Sequence, residues 1–163
     1  MILIGLGANL PSRFGNPVAT CEAAFSALAA LGVSVLARSP WYETAPVPMS
    51  DQPWFVNGVA GVATDLDPPD LLATLHRVEA DFGRARTVAN AARPLDLDLL
   101  AYGDLLREEP PPIVPHPRLH ERAFVLLPLR DIDPHWRHPK SGLTIDALIA
   151  ATPPGQLIRR ALP

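Results

Sequence analysis

The first hundred residues alternate between short apolar runs and segments whose apolar residues recur at helical spacing. Residues 2–6 form an apolar run that ends in a glycine-rich turn, which predicts a buried strand. Asn16 followed by Pro17 is a typical helix start, and Gly32 ends the apolar stripe that follows. Residues 33–44 are rich in β-branched and aromatic side chains and predict an extended segment.

A second set of elements follows in the same style. Residues 55–64 alternate as a strand does, and Asp67 before two prolines predicts the start of a second helix. Gly83 ends that helix, and residues 95–102 form the clearest strand of the chain. The order strand, helix, strand, strand, helix, strand predicts an α+β fold with a ferredoxin-like βαββαβ core.

The last third predicts a helical extension to this core. It contains a proline run at residues 110–112, a short helical patch at residues 118–127 and a final helix capped near Thr144. The sequence has no internal repeat and no linker that would divide it. At 163 residues, we therefore expect one domain spanning residues 1–163.

Composition narrows the class of protein. The chain is 48% hydrophobic and 19% charged, which is typical of a globular protein, and it lacks both a long apolar run and a signal-peptide pattern. The lone Cys21 lies in a helical pattern, where we expect a small core residue. The net charge of −3 argues against a nucleic-acid partner. We expect a cytoplasmic protein that contacts neither membrane nor nucleic acid.

The candidate chemistry begins with Asp96 and Asp98 in the strand of residues 95–102. Residues two apart in a strand share a face, so these carboxylates are expected about 6.5–7 Å apart at Cα. Like charges on a mostly apolar strand repel each other, and Mg²⁺ would remove that penalty. The alternative is an edge strand whose solvent face carries two aspartates.

Arginines favour the metal interpretation. Arg84 and Arg86 follow Gly83, and Arg93 begins the strand that carries the aspartates. Arg84 could simply complement the dipole of the preceding helix. Three arginines beside a carboxylate pair nonetheless suit a polyphosphate chelated by Mg²⁺.

Two further segments carry candidate binding residues. His116 is held between two prolines and could bind phosphate or be structural, while Arg118 and Arg122 share a helix face. Asn57, on the inward face of a strand, needs partners for its amide, which a flat heterocycle stacked on Phe55 or Phe124 would supply. Each aromatic alone could equally be a core residue.

Several motifs in order identify a resemblance. The motifs are Gly7-Ala8-Asn9-Leu10, Tyr42-Glu43-Thr44, Asp51-Gln52-Pro53, Asn57, Gly83-Arg84-Ala85-Arg86, Arg93-Pro94-Leu95-Asp96-Leu97-Asp98 and Pro115-His116-Pro117-Arg118-Leu119-His120-Glu121-Arg122-Ala123-Phe124. With these motifs the chain resembles the 6-hydroxymethyl-7,8-dihydropterin pyrophosphokinases of the folate pathway, from Gly5 to about Leu129.

The resemblance implies a diphosphotransferase that uses ATP, two Mg²⁺ ions and a reduced pterin, and acts as a monomer. It implies metal binding and catalysis by Asp96 and Asp98, with Arg84 and Arg93 also catalytic. The implied ATP-binding residues are His76, Glu79, Arg86, Arg93, Leu99, His116 and Arg122. The implied pterin-binding residues are Thr44, Ala45, Val47, Phe55, Asn57 and Phe124.

Two other functions share part of this residue set. A Mg²⁺-dependent phosphohydrolase or an ordinary kinase would use the same carboxylates and arginines, but would release phosphate or ADP. A non-catalytic nucleotide- or pterin-binding module would have no obvious use for the pair Asp96 and Asp98. Neither alternative accounts for the predicted pterin pocket and the phosphate-binding residues together.

Overall fold

One antiparallel sheet organises the protein, a single α+β domain. The computed structural model describes residues 1–46, 50–83 and 94–161. Within them the strands are β1 Ile2–Ala8, β2 Ser34–Arg38, β3 Tyr42–Thr44, β4 Phe55–Ala63, β5 Asp96–Tyr102 and β6 Ile158–Arg160. The strand order is β5-β1-β4-β3-β6, and β2 also pairs with β4. The edge strand β5 and the central strand β1 will carry most of the candidate site.

The two long helices begin where the sequence predicts. Helix α1, Pro17–Ala30, is capped by the side chain of Asn16, and helix α2, Pro68–Asp81, is capped by Asp67. Each cap oxygen accepts an N–H that has no partner within its helix. Two helices follow later, α3 Ala123–Ile132, preceded by a 3-10 turn at Leu119–Glu121, and α4 Ile145–Ala150 with Thr144 as its cap.

Two hydrophobic cores lie on opposite faces of the sheet. Residues such as Leu6 and Leu97 pack against α1 and α2, together with the buried Cys21. Strand residues that point to the opposite face, such as Leu3, join a second core with α3 and α4, because side chains alternate between the faces of a strand. Burial raises the pKa of the Cys21 thiol to about 12, as expected of a core cysteine. In the part of the chain described, none of the helices combines the length and apolar character needed to cross a bilayer.

The predicted extended segment 33–44 forms two short strands instead of one continuous strand. Strands β2 and β3 flank residues 39–41, where Ser39 turns its hydroxyl to accept the Val59 N–H at 3.0 Å. The Trp41 ring covers Gly58, where an added Cβ would stand 2.5 Å from it. Both contacts join residues distant in sequence, which explains why the local pattern suggested one continuous strand.

The C-terminal extension is not wholly helical. After α4 the chain returns to the sheet as β6, which pairs with β3 from Tyr42 opposite Arg160 to Thr44 opposite Ile158. The sequence pattern of this short, exposed strand gave no signal for it. Its pairing brings residues 156–158 beside the end of β3.

Candidate active site

Strand β5 presents its two carboxylates on one face and Leu97 and Leu99 on the other. Leu95, Leu97 and Leu99 are buried in the core with α1 and α2, whereas Asp96 and Asp98 are half-buried. This confirms the predicted alternation. Burial of the leucine face fixes the register of the strand, because a slip by one residue would place both aspartates in the core.

Glycines form the floor beside these carboxylates. Gly7 of β1 is paired with Asp96, and Gly5 is paired with Asp98. On its other side, Gly7 is paired with Asn57 of β4. A Cβ atom at Gly7 would stand 2.8 Å from the Asn57 Oδ1 atom, so any side chain there would force Asn57 to shift. The Asn57 side-chain oxygen therefore occupies the space above Gly7.

Helix α2 supports the outer edge of β5 through Glu79. The Leu97 N–H donates a 2.8 Å hydrogen bond to Glu79 Oε2, and Glu79 is only 1% exposed. Because β5 is an edge strand, its outward N–H groups need acceptors other than a neighbouring strand. The Glu79 carboxylate thus lies against the strand between the two aspartates, and His76 precedes it by one turn of α2.

His116 is fixed against the same strand. Its backbone N–H donates to the Leu100 carbonyl at 2.7 Å, and its Nδ1 atom accepts the Arg118 N–H at 3.1 Å. Burial, together with the charges of Arg122 and Arg118, lowers the pKa of His116 to about 4, although Asp96 acts in the opposite direction. The imidazole is therefore neutral at pH 7, with its Nε2 atom carrying the proton as a hydrogen-bond donor.

Arg122 places a partly buried positive charge near the carboxylates. Burial lowers its pKa and Arg118 adds to this, while Asp98 and Asp96 counteract it. A guanidinium nonetheless stays charged in a protein. Its Cζ atom lies 5.4 Å from the centroid of the Phe124 ring, which links the carboxylate side of the site to its aromatic side.

The predicted pterin-binding residues meet on the far side of the glycine floor. The buried Asn57 amide donates a 2.6 Å hydrogen bond to the Thr44 hydroxyl. Phe55 is paired with Thr44 across β3 and β4. Thr44, Ala45 and Phe124 line one small cavity together with Ala123, Gln156 and residues 157–158. Asn57 and Phe55 do not line this cavity, but both are connected to its lining residue Thr44.

Most of the predicted site residues that the structure describes come together. The Leu99 side chain is buried in the core, with 4% of the residue exposed. Its predicted contact with ATP would therefore be made by its backbone. Four of the predicted residues lie outside the described residues, namely Val47, Arg84, Arg86 and Arg93. Across the described ranges, no three His, Cys, Asp or Glu side chains cluster as a protein-only metal site would require. A pair of carboxylates suits an ion that takes its remaining ligands from water or phosphate.

The sequence assigns no individual role to three contributors to the site. Gly7 and Asn9 belong to the matching motif Gly7-Ala8-Asn9-Leu10, and a glycine within a strand signals the close approach of another group. Asn9 is 1% exposed and donates to Gln52 Oε1 at 3.1 Å and to the Pro53 carbonyl at 3.2 Å, which ties the end of β1 to the loop before β4. Gln156 gave no signal in the sequence at all.

Comparison with known proteins identifies the family to which the sequence is similar. Residues 3–134 match the model of the 7,8-dihydro-6-hydroxymethylpterin-pyrophosphokinase (HPPK) family. The chain is 40% identical over 153 residues to the 2-amino-4-hydroxy-6-hydroxymethyldihydropteridine pyrophosphokinase of Pseudomonas aeruginosa, covering 93% of this chain and 91% of that protein. The Synechocystis protein of the same name is 39% identical over 148 residues, with coverages of 90% and 73%.

Longer relatives contain the same region. The chain is 39% identical over 144 residues to the folic acid synthesis protein fol1 of Pneumocystis carinii, and these residues make up 88% of this chain and 19% of that protein. An HPPK-DHPS protein crystallised in complex with substrates superposes with a TM-score of 0.74 at 14% identity, over 92% of this chain and 42% of the other. That likeness concerns the fold alone.

Proposed function

The chain belongs to the 7,8-dihydro-6-hydroxymethylpterin-pyrophosphokinase family, and from this premise we propose that it transfers diphosphate from ATP to 6-hydroxymethyl-7,8-dihydropterin. The products are AMP and the pterin diphosphate, and the reaction serves folate biosynthesis. The observation that carries this proposal is the floor at Gly7, which has Asp96 on one side and Asn57 on the other. This pairing supports a site in which the phosphate-binding residues and the heterocycle-binding residues would lie next to each other.

The heterocycle would enter the pocket beside Asn57. Thr44 and Asn57 offer a hydroxyl and an amide oxygen for the polar edge of the ring, since the Asn57 NH₂ group already donates to Thr44. Phe55 and Phe124 would hold the ring faces, with Ala45 and Val47 completing the wall. Flat, polar-edged ligands are recognised in this way by a few placed polar groups within an apolar cavity.

The nucleotide would lie along β5. Neutral His116 would donate a hydrogen bond to a phosphate oxygen, and Arg122 would neutralise phosphate charge beside Asp98 and Asp96. We assign Arg84, Arg86 and Arg93 to the same task, with His76, Glu79 and Leu99 near the nucleotide. Positioning and electrostatic stabilisation of this kind provide most of the catalysis in phosphoryl transfer.

The carboxylate pair fits Mg²⁺. Asp96 and Asp98 offer oxygen donors on one face of β5, opposite Gly7 and Gly5 of β1, which carry no side chains that compete for them. When bound, two such ions would neutralise charge that develops on the phosphate oxygens. The protein itself would hold the hydroxymethyl oxygen in line with the β-phosphorus. A new O–P bond then forms, the bond from the β-phosphorus to the bridging oxygen of AMP breaks, and the hydroxyl proton passes to Asp98 or to water. We assign Asp98 to aligning or deprotonating that hydroxyl.

Two further proposals concern the topology of the sheet and the organisation of the active protein. Strands β2 and β3 pair with the same edge of β4, opposite β1, so we interpret them as one interrupted strand of a ferredoxin-like βαββαβ core. Residues 1–163 would form a single pyrophosphokinase domain that acts as a monomer. Sedimentation of the active protein at assay concentration tests the oligomeric state.

Nucleotide product analysis tests the function directly. The protein is incubated with Mg-ATP, with and without 6-hydroxymethyl-7,8-dihydropterin, and the nucleotides are separated by chromatography. AMP that forms only with the pterin, in equal amount to pterin diphosphate, is the expected result. ADP or free phosphate that forms without pterin would instead indicate a kinase or phosphohydrolase, and ligand binding without turnover would indicate a binding module.

A further inference from the structure

Gln156, in the C-terminal segment, bonds to the backbone on both sides of Arg122. The Ala123 N–H donates to Gln156 Oε1 at 2.8 Å, and Gln156 Nε2 donates to the Glu121 carbonyl at 2.8 Å. A single amide therefore fixes the peptide groups that precede and follow Arg122. Gln156 lies beyond residues 3–134, the segment that the family model matches.

Helix α3 has a physical need for this contact. Its cap position is Arg122, whose side chain makes no capping hydrogen bond, so the N–H of the first helical residue, Ala123, has no side-chain acceptor at the cap. Residues that usually supply one are Ser, Thr, Asp and Asn at the cap itself. Gln156 supplies the acceptor from 33 residues away.

The same segment also reaches the opposite wall of the pocket. The Ala45 N–H donates to the Leu157 carbonyl at 3.1 Å, and Thr44 is paired with Ile158. Residues 156–158 thus contact the end of β3 and the start of α3 together. Gln156 itself lines the pocket formed by Thr44, Ala45 and Phe124.

We propose that Gln156 is a positioning residue for the reaction, and that it holds Arg122 and Phe124 at the spacing from Thr44 and Ala45 that the two substrates require. The proposal rests on the proposed function. Its physical basis is that Arg122 and Phe124 flank Ala123, the residue whose N–H Gln156 fixes. Loss of these hydrogen bonds would loosen both side chains at once, although Gln156 bonds to the backbone beside Arg122 and Phe124 and not to their side chains.

The test compares Gln156→Met with a matched control. Methionine keeps the length of the side chain and removes both of these hydrogen bonds, together with the 3.3 Å bond from Gln156 Nε2 to the Pro153 carbonyl. Asn16→Ala removes one helix-start hydrogen bond from α1, which packs on the other face of the sheet and carries none of the assigned residues. A fall in Tm is expected for both variants. Only Gln156→Met is expected to raise KM for the pterin, by about 5- to 20-fold, since small displacements of positioned groups have large kinetic effects.

A conservative variant and an exchange measurement separate the possible outcomes. Gln156→Glu keeps the acceptor for the Ala123 N–H and loses the donor, so its KM should lie between those of the wild type and Gln156→Met. Hydrogen exchange of the Ala123 amide should be faster in Gln156→Met and close to wild type in Gln156→Glu. Unchanged exchange of the Ala123 amide in Gln156→Met would show that Gln156 does not hold this part of the backbone, whether or not the protein is active.

The kinetic results distinguish this proposal from the proposed function. If the wild type forms AMP with pterin while Gln156→Met keeps its KM within about twofold, the positioning role is wrong and the function stands. An equal rise in KM for Asn16→Ala would also overturn it, because the effect would then reflect stability alone. A wild type that forms no AMP in the presence of pterin would overturn the proposed function, and the positioning role with it.

Discussion

Asp96 and Asn57 are paired with the same residue, Gly7, from opposite sides of the central strand. Adjacent strands lie about 4.8 Å apart, so the two Cα atoms are separated by roughly 10 Å across the sheet. A residue that would bind metal and one that would bind the pterin are therefore held by one rigid element. The distance between the two halves of the site is set by backbone hydrogen bonds rather than by loops.

Gly7→Ala should disturb the pterin half of the site. The new methyl group would stand 2.8 Å from Asn57 Oδ1, so the Asn57 side chain must move and its hydrogen bond to Thr44 will weaken. We expect KM for the pterin to rise about tenfold, which corresponds to about 1.4 kcal/mol of binding free energy. Steady-state kinetics with the pterin as varied substrate measures this.

Gly5→Ala is the matched comparison on the same strand. Its methyl group would meet Leu100 Cδ1 at 3.4 Å, an ordinary contact that a leucine can accommodate. We expect a smaller change in KM for the pterin than with Gly7→Ala. Equal effects of the two substitutions would contradict the role given to the space above Gly7.

Asp96→Asn should abolish most of the activity while leaving the protein folded. The substitution keeps the shape of the side chain and removes a charge from a half-buried position, so stability should change little. Loss of a metal ligand should lower the rate of AMP formation by about 10³-fold or more. Near-normal turnover would overturn the metal assignment.

Two further variants sharpen this result. Asp98→Asn should have a comparable effect on AMP formation, and nearly unchanged turnover would remove Asp98 from the alignment of the hydroxyl. Asp104→Asn removes a charge from the exposed turn that follows β5 and should keep full activity. Circular dichroism of all three variants establishes that the fold is retained.

How far the sequence could predict this protein depends on the range of each interaction. The caps Asn16 and Asp67, the helical stripes and the alternation around Asp96 are local, and the structure confirms them. Strand β6 and the contacts of Gln156 were missed because their partners lie far away in the chain and their own residues carry no periodic pattern. The roles of Arg84, Arg86, Arg93 and Val47 stay predictions.

Glu79→Ala should destabilise the protein through the edge of β5. The carboxylate is 1% exposed and accepts the Leu97 N–H, so its removal leaves a donor without an acceptor. Leaving one buried polar group unsatisfied should lower the free energy of unfolding by about 1–3 kcal/mol. Denaturant unfolding measures the change.

The comparison with Glu79→Gln isolates that hydrogen bond. The glutamine variant keeps an oxygen acceptor for Leu97 and should recover part of the lost stability. Because β5 carries Asp96 and Asp98, Glu79→Ala should also lower the rate of AMP formation. Wild-type stability of the alanine variant would show that the Leu97 N–H finds another acceptor.

His116 should make the folded protein less stable as the pH falls below about 6.5. Burial and the neighbouring arginines lower its pKa to about 4, whereas in the unfolded chain it returns to its ordinary value. Between these two values the unfolded state binds the proton and the folded state does not, so protonation favours unfolding. Stability is fully present above about pH 6.5 and is lost progressively towards pH 4.

Denaturant unfolding between pH 7 and pH 4.5 measures this dependence. His116→Gln removes the titrating group and should flatten the pH dependence of the unfolding midpoint in this range. His135→Gln, at an exposed loop position, should keep the wild-type slope. Saturating Mg-ATP should shift the apparent pKa of His116 upward, because phosphate charge favours the imidazolium. An unchanged slope in His116→Gln would mean that other groups govern the acid stability and that His116 titrates normally.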